Sequence, residues 1–151
     1  VTLTSLSGAA PGITIDTAAA AATAEIADND SALVRVTKIS DGTEAGAVAP
    51  VFAISISAAS TSNTTVLYTL GGTATSGADY TPPTTASAII PAGQTSVNVS
   101  LPLLADTAFE GVETLSITLD SLSGAGVGVS IDPANRVASA VSPVPSAVKF
   151  D

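Results

Sequence analysis

The chain has 151 residues, a net charge of −9, and neither cysteine nor histidine, which excludes disulfides, thiolate or imidazole metal sites and imidazole acid–base catalysis. Arg35, Lys38, Arg136 and Lys149 are its only cations, too few and too scattered to grip a phosphate backbone, so no nucleic acid partner is expected. No apolar run reaches membrane-spanning length and no signal peptide is recognisable.

The chain opens on a sequence that it uses twice. Val1-Thr-Leu-Thr-Ser-Leu-Ser-Gly-Ala-Ala-Pro-Gly-Ile-Thr-Ile-Asp16 returns, offset by 116 residues without a gap, as Ile117-Thr-Leu-Asp-Ser-Leu-Ser-Gly-Ala-Gly-Val-Gly-Val-Ser-Ile-Asp132. A weaker echo links Ser31–Val36 to Ser146–Phe150. The repeating unit is thus about one domain long. Asp16–Ala27 is rich in alanine and helical by propensity. Its later copy holds Pro133 and β-branched residues, so both copies are read as strand.

From residue 31 onward, apolar residues alternate with polar ones, the period of a half-buried strand. Strands are expected over Leu33–Lys38, Phe52–Ile56, Thr64–Leu70, Ala86–Pro91, Val97–Leu103, Leu115–Leu119, Val127–Ile131 and Arg136–Val141. Turn residues such as Asp41-Gly42, Gly71-Gly72, Ser76-Gly77, Ala92-Gly93 and Ser123-Gly124 punctuate them. Pro102, within a strand pattern, marks an edge or a bulge. Short strands at regular spacing predict an all-β fold, an immunoglobulin-like two-sheet antiparallel β-sandwich. The expected organisation is residues 1–30 as the terminal strand pair of a preceding repeat or a donor segment, 31–145 as the sandwich, and 146–151 as the start of a following repeat.

Four motifs occur in order along the sandwich: Glu44-Ala-Gly46, Tyr68-Thr-Leu-Gly-Gly-Thr-Ala-Thr-Ser-Gly-Ala-Asp-Tyr80, Ile90-Pro-Ala-Gly-Gln-Thr95 and Leu104-Ala-Asp-Thr-Ala-Phe-Glu-Gly-Val-Glu113. Together they resemble the Calx-β domain, in the form found in tandem in bacterial extracellular proteins. The resemblance implies a cation site at one tip of the sandwich. Carried over position by position, its ligands are Glu44, Asp79, Asp106, Glu110 and Glu113, and Asp28 and Asp30 correspond to ligands of the preceding module. Calcium suits such a set, since it takes six to eight oxygens, mostly carboxylate and carbonyl. The family places consecutive Asp residues at the end of the last strand, where this chain has Val141-Ser-Pro-Val-Pro-Ser146. One weakly held calcium is therefore the implied cofactor. Two other readings stay open: solvated loop charge for the whole acidic set, and a hydrogen bond from Asp79 to its own loop.

An enzyme is not expected. The pair Glu110 and Glu113 has the residue types of a glycosidase acid and base, but the chain has no tryptophan to line a sugar site. The expected function is structural: a module of an extracellular or cell-surface repeat protein, an adhesin, surface layer or filament, assembling through contacts between sandwiches and braced by calcium. The expected partners are adjacent repeats or identical subunits, with residues 1–30 as the candidate filament contact. The alternative is a calcium-responsive binding module.

Overall fold

Each strand forms where side chains alternate between core and solvent. In a computed structural model that describes residues 1–26, 29–44, 46–105 and 111–142, eight strands are found and no helix among these residues. They are β1 (Ala32–Ser40), β2 (Val51–Ile56), β3 (Thr64–Gly72), β4 (Ser87–Ile90), β5 (Ser96–Ser100), β6 (Glu113–Ser123), β7 (Val129–Ile131) and β8 (Val137–Ser142). One sheet has the order β5-β2-β1-β7 and the other β4-β3-β6-β8. Their inner faces close on one core, with Val34, Val36, Phe52 and Ile54 meeting Val66, Tyr68, Ile117 and Leu119. Each such aliphatic side chain, once buried, contributes about 1.5–3 kcal/mol.

Two departures from the expected pattern have local causes. β5 stops at Ser100 instead of running to Leu103, because Pro102 has no N–H for the ladder. Leu101 and Leu103 stay buried all the same, and Leu103 bridges to Tyr80. In β6 the buried positions shift from Leu115, Ile117 and Leu119 to half-buried Leu122. A bulge opposite Leu67 and Tyr68 absorbs the extra residue, so β3 keeps its own alternation.

The sandwich is not wholly antiparallel. β1 runs parallel to β7, pairing Ala32–Val34 with Val129–Ile131, while every other strand pair is antiparallel. After β7 the chain turns at Asp132–Asn135 and continues as β8 in the opposite sheet. Asp132 holds this crossing: one carboxylate oxygen accepts the Ala134 amide at 3.0 Å and the other the Asn135 side chain at 2.8 Å. These bonds lower the Asp132 carboxyl below the ordinary range, with the Asn135 contribution the largest.

Residues 1–26 stand apart from the core. Asp16–Ala22 consists of turns and a single bridge, Thr2 to Ala21, in place of the expected strand. The Val1 and Ala22 backbones also bond each other, at 2.8 and 3.0 Å. All of these residues are exposed except Ile15 and Ala20. Three hydrogen bonds thus tie the two ends of the segment together.

Candidate functional site

The strand directions give the sandwich two poles. β1, β3, β5 and β8 end at one, the tip, and residues 29–31 lie at the other, the base. At the tip, Thr43 and Val48 exchange backbone hydrogen bonds of 2.9 and 2.8 Å, closing a short hairpin that carries Glu44. Gly46 and Ala47 both take positive φ (86° and 50°) to make the turn. The end of β1 is sutured to the end of β8. Asp41 accepts the Val141 amide at 2.8 Å and the Lys38 ammonium at 2.8 Å, and the Gly42 amide donates to the Val141 carbonyl at 3.1 Å. The Lys38 hydrogen bond, followed by the Val141 amide, holds the Asp41 carboxyl below its ordinary range. Gly42 is required by crowding, because a Cβ there would sit 2.7 Å from Pro50 Cδ and 2.8 Å from Leu103 Cδ1.

Three of the acids expected from sequence reach this tip. The Ser142 hydroxyl donates to Glu44 Oε1 at 3.4 Å. Glu113 stands directly opposite Ser142 in the β6–β8 ladder. Asp79 is only 5% exposed; it accepts the Thr75 amide on Oδ2, and its carbonyl accepts the Leu104 amide at 2.8 Å. The hydrogen bond to its own loop is thus observed. Asp106 and Glu110 belong to the β5–β6 connection and lie outside the described residues, as does Asp28. Asp30 is at the base, where its carbonyl crowds Gly128.

Among the described residues, no three acidic side chains stand at metal-ligand spacing. The fit to calcium is therefore partial. Glu44, Glu113 and the Ser142 hydroxyl supply hard oxygen donors at the tip, and Asp79 has one oxygen committed to its loop. Sequence reasoning missed Asp41 as a tip residue because Asp41-Gly42 reads as a turn. Lys38, three positions earlier, was the one available signal.

The loops of Glu44 and Asp79 thus lie at the tip, whereas the Ile90–Thr95 motif joins β4 to β5 at the base. The Calx-beta domain model matches residues 25–141, which take in all but the last residue of the eight strands. The chain belongs to the Calx-beta family. Among solved structures, the Calx-beta sandwich is similar to the apo form of the Calx CBD1 domain, with 18% identity, a TM-score of 0.57, and 76% of this chain and 99% of that chain covered. CBD12 from CALX1.2 matches with 18% identity and a TM-score of 0.59, over 73% of this chain and 44% of that one. The calcium binding domain CBD12 of CALX1.1 matches with 19% identity and a TM-score of 0.53, over the same shares of 73% and 44%. This chain thus spans less than half the length of either CBD12 structure. At these identities the likeness carries the Calx-beta fold. No curated protein matches the sequence significantly.

Proposed function

We propose that this chain is a structural Calx-beta module of a bacterial extracellular or cell-surface protein built from repeated sandwiches, such as an adhesin, surface layer or filament, and that calcium braces its tip. It acts as a binding and spacing module and catalyses nothing. One observation carries the reading. Glu44, Asp79 and Glu113, far apart in sequence, come to one pole of the sandwich, while the polypeptide enters at the other. In a row of such modules the acidic tip of one faces the base of the next, where Asp30 lies. A solved neighbour described as a calcium binding domain has the same fold, which supports the choice of ion. The donor set argues for weak binding, in the millimolar range typical of extracellular modules.

Calorimetric titration tests this directly. We expect a single site with a dissociation constant of about 0.1–1 mM. At tenfold excess over that constant, calcium stabilises the fold by about 1.4 kcal/mol. The melting temperature then rises by roughly 3–6 °C. Glu44→Gln together with Glu113→Gln removes most of the rise. A melt that does not move with calcium would leave spacing alone as the function.

A further inference from the structure

Residues 1–26 repeat the sequence of the sandwich's closing segment, and they also reproduce its hydrogen bonds. The bridge Thr2–Ala21 has the register of Thr118–Val137, both at the 116-residue offset. The Leu3 amide donates to the Ala20 carbonyl at 2.8 Å, as the Leu119 amide donates to the Arg136 carbonyl at 2.8 Å. Asp16 accepts the Ala18 amide at 2.9 Å, as Asp132 accepts the Ala134 amide at 3.0 Å. Gly8 and Gly12 (φ 73° and 90°) match Gly124 and Gly128 (φ 69° and 83°). The difference is what covers the apolar face. Ile117 and Leu119 are fully buried against β3 and the core, whereas their counterparts Val1 and Leu3 are exposed.

The later copy shows what such a segment is shaped to cover: the open edges of β1 and β3. It cannot cover those of its own sandwich. Glu25 would take the place of Val141 beside Gly42, at the tip, yet it is joined by only seven residue steps to Ala32 at the base. Seven steps reach at most about 25 Å. Ten strand steps, from Ala32 to Gly42, span about 33 Å.

We propose that residues 1–26 are a closing edge for a body like residues 32–116 other than their own, and that in a solution of this chain a second copy supplies that body, with residues 1–26 in the place of its residues 117–142. The proposal rests on the modular reading above. Its failure would leave the calcium titration unaffected, because Glu44, Asp79 and Glu113 lie within the body and Ser142 keeps its place beside Glu44 when no exchange occurs.

Leu119→Asp tests it by expelling the chain's own closing edge from the core. The expected product is an oligomer in analytical ultracentrifugation whose β-sheet signal and melting temperature rise with protein concentration. Thr69 pairs with Thr118, the counterpart of Thr2, so Thr2→Cys with Thr69→Cys should oxidise to a ladder of linked chains. The chain has no cysteine of its own, so the ladder reports this pair alone. Thr2→Cys with Thr65→Cys, out of register, should give none. A folded monomer insensitive to concentration, or equal ladders from both pairs, overturns the proposal. Should Leu119→Asp leave the chain unfolded, the in-register cysteine pair in the otherwise native chain, refolded from urea at high concentration, decides: a ladder supports exchange and its absence refutes it.

Discussion

Thr64 sits at the start of β3 with its hydroxyl fully buried and no hydrogen-bond partner among the described residues. A buried hydroxyl without a partner costs free energy that a methyl group of the same shape does not. Thr64→Val is therefore expected to stabilise the fold by about 1 kcal/mol, measured by urea unfolding. Gly42 is the opposite case, since any side chain there meets Pro50 and Leu103 at the tip. Gly42→Ala should destabilise by about 1–3 kcal/mol and loosen the hairpin that carries Glu44. Asp41 and Asp132 both have carboxyls lowered by hydrogen bonds that exist only in the folded chain. The stability they contribute is present above the unfolded carboxyl pKa of about 3.9 and is lost as pH falls through the lower folded values. Replacing both by asparagine should flatten the fall in melting temperature below about pH 4. Such roles were only half legible in sequence. Asp79, following a glycine and an alanine, was recognisable as a residue that bonds its own loop. The suture from Asp41 to Val141 was not, because a hundred residues separate its partners.

Among the elements, β6 and β1 carry the architecture. β6 lies between β3 and β8, and its Leu119 is buried among both sheets. Its carbonyl accepts the Arg136 guanidinium at 2.8 Å, and its amide donates to the Arg136 carbonyl at 2.8 Å. Leu119→Ala is expected to cost about 3 kcal/mol by the same unfolding assay. The strands themselves were legible, because alternation is a local property of the chain. Their ends were less so. Pro102 cut β5 short, and the β6 bulge shifted the inward set by one residue, a change that only pairing against β3 requires. The parallel pairing of β7 with β1 could not be read at all. Three residues, Val129–Ile131, carry no signal of direction, and the crossing between sheets rests on the Asp132 turn.

At the scale of the molecule, the sandwich and the leading segment are energetically separate in dilute solution. Among the described residues, the core contains none before Ala32. Deleting residues 1–26 should change the melting temperature by less than about 2 °C at low concentration, because surface changes away from packed features stay within about 0.5 kcal/mol. The sequence by itself determined that the chain is all β, roughly where the strands of the sandwich lie, and that its opening is a copy of its close, though not that the strand expected over Asp16–Ala27 is replaced by turns; alternation, turn residues and self-similarity are written in neighbouring positions. Only the tertiary structure decided which sheet each strand joins, that one pair runs parallel, that Glu44 and Glu113 flank Ser142, and that the opening segment lacks the cover its copy has. Those outcomes depend on contacts between residues tens to a hundred positions apart, and on chain reach in space, which no local pattern encodes.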